Sequence, residues 1–142
     1  MEIKPVSNRM YGLIILFDMH TTYYNNAIEG ITDEDAHERL RTKANHIAWL
    51  AGSLVQERFE LANIFGLAMK SAADELFKDH KGIQEAEIYP PLIDYKKDWQ
   101  KISPFLREKS KNAAAVNLGI FVSEKSTLTK LKLLDLRKCG QI

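Results

Sequence analysis

The chain has a single cysteine, Cys139, in 142 residues. A lone thiol excludes an internal disulfide framework and fits a reducing cytoplasm better than a secreted scaffold. Cys139 lies beside Lys138, a neighbour that can lower a thiol's pKa, but its place close to Ile142 fits an ordinary thiol. The chain also lacks a long apolar run. Leu13-Ile14-Ile15-Leu16-Phe17 is followed at once by Asp18 and His20, too soon for a signal-peptide core or a membrane span. Its seven glycines form no phosphate-cradling loop, and neither a Cys or His pair at zinc spacing nor a nucleophile elbow is present. A formal charge of +1 gives no global electrostatic reason to bind nucleic acid or an anionic membrane.

With 45% hydrophobic and 27% charged residues, the chain reads as one soluble globular domain over 1–142. The charge is unevenly spread. Residues 107–142 carry eight basic against three acidic side chains, a net of +5, which leaves the first 106 at −4. Phe121 is the only aromatic in that basic tail, so it offers no stacking platform and reads as a solvated helix face.

Apolar residues at Val6, Met10, Leu13, Phe17, Tyr24 and Ile28 recur at mostly three-and-four spacing, which predicts a first helix from about 8 to 29, closed by Gly30. Ile31-Thr32-Asp33-Glu34-Asp35-Ala36 opens a second: Thr32 can cap free amides, Ile31 can staple onto Ala36, and three acids suit the positive helix end. Ala36, Leu40, Ala44, Ile47, Ala51, Leu54 and Val55 extend that stripe to near Asn63. Residues 66–90 lose the period and end in Pro90-Pro91, so they read as a long connection with a helical turn around Ala73–Phe77. Leu92, Tyr95, Trp99, Ile102 and Leu106 mark a third helix that Pro104 either kinks or ends before Ser103.

Residues 113–122 are open between a helix end, a short strand and a buried loop. Ser123 or Ser126 can cap a last helix stacking Leu128, Leu131, Leu134 and Arg137. Four amphipathic helices without period-two alternation point to an all-α four-helix bundle. Its long second-to-third link means that the third helix does not simply run antiparallel beside the second.

Seven helical residues turn through roughly 700°, so His46 and Ser53 share a face, with Glu57 within about 40° of both. A histidine, a hydroxyl and a carboxylate in line can seat a metal, a proton relay or a small polar ligand; a bundle edge with His46 bonded locally and Glu57 in water is the blander alternative. His20, between Phe17 and Tyr24 on the inward stripe, reads first as a core histidine that needs a partner and second as a ligand. His37 and His80 sit in charged surroundings and read as solvated. Trp49 lies away from the main stripe, which suits either a dimer interface or packing under the long connection.

Asn45-His46-Ile47-Ala48-Trp49, continued by Leu50-Ala51-Gly52-Ser53-Leu54, resembles the second helix of the DinB-like family, where an Asn, a Trp and a Gly-His pair recur in that order and the His binds a divalent metal. Ser53 stands where that His would be. The Gly30–Ala36 entry and Lys96-Lys97-Asp98-Trp99 extend the resemblance over residues 8–107. Gly140-Gln141-Ile142 resembles the close of the family's last-helix pattern, His-x-x-x-His-x-Gly-Gln, which puts Leu134 and Lys138 in place of its two histidines. Relatives continue beyond that point, so the resemblance implies a C-terminal segment shortened here. It also implies a DinB-like four-helix bundle with a long crossover between helices 2 and 3, pairing as a homodimer. With all three imidazoles replaced, no zinc or nickel cofactor is expected.

The expected function is then binding of a small molecule or a protein partner in the cytoplasm, without nucleic acid or membrane. Candidate ligand contacts are His46, Ser53, Glu57 and His20. The alternative is an enzyme, a metal-dependent hydrolase or thiol S-transferase, with a site rebuilt from His20, His46 and Glu57.

Overall fold

A computed structural model describes residues 8–112, and the expected last helix, Leu134, Lys138 and Cys139 lie outside them. The described chain is all helical: α1 (Asn8–Ile28), α2 (Asp33–His37), α3 (Ile47–Ile64), α4 (Asp74–Phe77), a 3-10 turn (Lys78–His80) and α5 (Leu92–Lys111). None of these helices is long and apolar enough to cross a membrane.

Side-chain contacts give the directions of the three long helices. Tyr24 Oη donates to the Ala51 carbonyl and Arg58 to the Phe17 carbonyl, while Met10 and Ile14 pack with Phe65, so α1 runs antiparallel to α3. Arg107 bonds Asp18 and Trp99 Nε1 donates to the Thr21 carbonyl, so α1 also runs antiparallel to α5. Tyr95 packs at Gly52 and Ser103 bonds Arg58, so α3 and α5 are parallel. Parallel neighbours require the chain to travel back the length of a helix, about 27 Å for the 18 residues of α3. Residues 65–91 do this, as their loss of period suggests.

The second helix differs from its predicted course. α2 ends at His37, residues 38–46 are irregular, and Leu40 (φ 53°) and Arg41 (φ 59°) adopt the left-handed conformation. Leu40 is 69% exposed and Ala44 is also exposed, so their apparent stripe positions face water. Local side-chain bonds to backbone take the helix's place. Thr42 Oγ1 donates to the Arg39 carbonyl (2.7 Å) and accepts from Ala44 N (3.1 Å), and Arg39 donates to the carbonyls of Ala44 (2.8 Å) and Lys43 (2.7 Å). The Thr32 cap forms as expected, its hydroxyl accepting from Asp35 N at 3.1 Å.

His37 is half-buried rather than solvated, its ring nitrogens 2.6 Å from the Asp33 carbonyl oxygen and 2.9 Å from that of Tyr89. The Asp33 carboxylate accepts from Leu92 N at 2.8 Å, so the five-residue α2 fixes the start of α5. Pro104 does not end α5, which runs on to Lys111. The amide it lacks would have bonded the Gln100 carbonyl, and both residues are exposed, where water substitutes.

At the centre lies Arg58, 2% exposed. Its guanidinium stacks between the rings of Phe17 (3.9 Å) and Trp99 (3.7 Å) and donates to Thr21 Oγ1 and Ser103 Oγ, each at 2.8 Å. Trp99 also stacks on Tyr24, with centroids 4.0 Å apart. The outer face of α1 is unusual. Tyr11, Ile15, Leu16, Met19 and Tyr23 are each 38% to 49% exposed, within an arc of about 140° that holds no charged residue.

Burial pushes the phenols of Tyr24 and Tyr95 above their ordinary value of 10.0. Their neutral forms therefore stabilise the fold fully below pH 10.0, and that contribution is lost as pH rises above it. The Tyr95 hydroxyl is buried without a partner. Tyr95→Phe is expected to be neutral or stabilising by about 1 kcal/mol in urea at pH 7 and to reduce alkaline sensitivity. Arg58→Ala opens a cavity and leaves the Thr21 and Ser103 hydroxyls only their bonds to the Phe17 and Trp99 carbonyls, and is expected to cost roughly 3 kcal/mol or more in the same titration.

Candidate functional site

α3 is buried on nearly every side, which marks it as the central helix. α1 and α5 cover one side, and the crossover covers the other. Gly52 makes the second covering possible. A Cβ there would stand 2.6 Å from Phe77 and 2.7 Å from Tyr95, closer than real contacts allow, so both rings pack directly on the helix backbone.

Several polar bonds hold the crossover down. Gln56 Nε2 donates to Asp74 Oδ1 at 2.9 Å, its Oε1 accepts from Ser71 Oγ at 2.8 Å, and Ala72 N donates to Asp98 Oδ2 at 2.7 Å. Between α3 and this cover lies a cleft of about 110 Å³, with Trp49, Ser53, Glu57 and Glu60 on the helix side and Phe77, His80 and Lys81 opposite.

Ser53 Oγ is buried and donates to the Leu50 carbonyl at 2.9 Å, which leaves its oxygen able to accept. Trp49 packs its ring 6.2 Å from that of Phe77, under the crossover. Its indole N–H is buried and has no hydrogen-bond partner among the described residues. Lys81 donates from Nζ to the Glu75 carbonyl at 3.0 Å. Asp79 (φ 59°) and His80 (φ 55°), the latter lining the cleft, hold left-handed backbones.

Of the residues expected to act together, Ser53 and Glu57 share this cleft and His46 does not. His46 is the N-cap of α3: it precedes the first helical residue, and its Nδ1 accepts from Trp49 N at 2.9 Å. Its ring lies 5.4 Å from His37 and 5.0 Å from Tyr89, in a separate depression of about 400 Å³ with Arg39 and Glu85. His20 is buried on α1 and does not line the cleft. His80 is exposed at its mouth.

Among the described residues, no three His, Cys, Asp or Glu side chains converge where they could hold a metal ion. Comparison with protein-family models, curated proteins and solved structures gives no match.

Sequence reasoning missed the Trp49 N–H and the roof of Phe77, His80 and Lys81, which only the folded crossover brings to α3. Gly52→Ala is expected to destabilise the protein by about 1 to 3 kcal/mol and to speed hydrogen exchange in residues 71–81, because the added methyl displaces Phe77.

Proposed function

We propose that this chain is a DinB-like helical bundle that binds a small molecule in the cleft beside Ser53, in the cytoplasm and without the divalent metal of its family. The observation that carries the reading is a cleft on the central helix whose lining combines the Ser53 hydroxyl and the Glu57 and Glu60 carboxylates with Lys81 opposite. A concave site with a few convergent polar groups beside aromatic rings suits a small polar ligand. The antiparallel α1, the parallel α3 and α5, and the long crossover between them support the DinB-like arrangement. The rebuilt-enzyme alternative draws less support, since His46 serves as a helix cap in a different depression.

Untagged protein purified without chelator is expected to carry far less than one zinc or nickel per chain by elemental mass spectrometry. A stoichiometric metal whose removal abolishes thiol transfer would overturn the metal-free reading.

The chain also pairs, in this reading, as a homodimer through α1. Its outer face is uncharged, and an antiparallel pair of α1 helices matches Tyr11 with the partner's Tyr23 and Ile15 with the partner's Met19, so the surface is complementary to itself. Sedimentation is expected to show a dimer at micromolar concentration and a monomer for Met19→Glu; a monomeric wild type would end the pairing proposal.

A further inference from the structure

His37 meets a carbonyl oxygen at each of its ring nitrogens: Nδ1 lies 2.6 Å from that of Asp33, and Nε2 lies 2.9 Å from that of Tyr89. A carbonyl oxygen only accepts, so both bonds form only when both nitrogens carry a hydrogen. The imidazolium alone satisfies that. A neutral ring would set a lone pair against one of the two oxygens, and a ring turned over would place carbons there. The neighbouring His46 is held in the other state. Its Nδ1 accepts from Trp49 N at 2.9 Å, so that nitrogen is bare and the ring, 5.4 Å from that of His37, is neutral.

From this pair of bonds, and independently of the cleft beside Ser53, we propose that His37 is a proton-dependent latch between α2 and the crossover. With both hydrogens it bridges the two carbonyls. With one it keeps the Asp33 carbonyl, a turn away on its own helix, and releases that of Tyr89, 52 positions distant. The Tyr89 ring packs 5.0 Å from that of His46 and 5.8 Å from that of Phe77, and its hydroxyl accepts from Gln84 N at 2.9 Å. Releasing Tyr89 therefore loosens residues 84–89, which form one wall of the depression beside His46. Charged groups surround the latch on every element near it. The Asp33 carboxylate of α2 is engaged with Leu92 N, Arg39 pairs with Glu85 of the crossover at 3.6 Å, Glu87 lines the same depression, and Asp94 in the first turn of α5 pairs with Lys97 at 3.4 Å. Of side chains such as these, only imidazoles ordinarily change charge between about pH 5 and 8.

Side-chain proton–nitrogen NMR on the full chain tests the latch, because each imidazole nitrogen's shift reports whether it carries a hydrogen. His37 is expected to show hydrogens on both nitrogens at about pH 5.5 and on Nδ1 alone at about pH 8.5. Over that range the Gln84 and Glu87 amides, bonded to the Tyr89 hydroxyl and the Gln84 carbonyl, are expected to exchange about threefold faster or more, after correction for the intrinsic effect of pH. His37→Gln, whose side-chain amide donates at any pH, should flatten that difference. The Trp49 amide, capped by His46, follows the second imidazole separately. A bare nitrogen on His37 at about pH 5.5 would overturn the imidazolium and the latch with it. Exchange of Gln84 and Glu87 that stays constant while His37 loses its proton, or that changes equally in His37→Gln, would overturn the latch as well.

Discussion

One buried guanidinium organises the described bundle. Arg58 comes from α3, its two hydroxyl partners come from α1 and α5, and so do the two rings that enclose it. A charge removed from water is costly unless its hydrogens are bonded and its faces covered. Planarity lets arginine meet both needs at once, with in-plane bonds to oxygen and stacking above and below. The relative height of the three helices is thereby fixed, since sliding any one of them by a turn would take away a partner. Ser103 also donates to the Trp99 carbonyl within α5 at 2.5 Å, which orients its oxygen to accept from the guanidinium.

With one side of α3 committed to that cluster, the crossover has to cover the other. It does so with Ala73, Phe77 and Tyr89 buried in the core, Phe77 directly on Gly52, and with polar bonds to Gln56 and Asp98 beside them. Where polar bonds rather than apolar side chains hold the cover, gaps remain that a close-packed apolar layer would fill. The cleft with its mixed charges is such a gap, and its chemistry follows from what the polar attachment brought along.

Much of this was legible in the sequence. The first helix, the Thr32 cap, the turn within 73–77 and the stripe Leu92, Tyr95, Trp99, Ile102 and Leu106 are all where periodicity places them, and those five residues are all buried. The break at 38–46 was not legible, because Ala36, Leu40, Ala44 and Ile47 mimic a continuous helical row while Thr42 and Arg39 bond the backbone instead. Arg58 also escaped notice in a charged stretch, although it stands four residues after Leu54 and seven after Ala51, on the buried row. Ser53 and Glu57 were found by helical geometry; their counterparts on the roof belong to a segment without period, whose position depends on tertiary contacts alone.

The junction of α2 with α5 bears on how the two halves of the chain depend on each other. α2 has only five residues, too few to persist alone, and Asp33 reaches Leu92 across 59 positions of sequence. Part of the support of α2 comes from the nearby α3, where Ala36 enters the core, and part from this distant bond, whose long loop is costly to close. Both supports are tertiary, so the N-terminal half of the chain is completed by its C-terminal half.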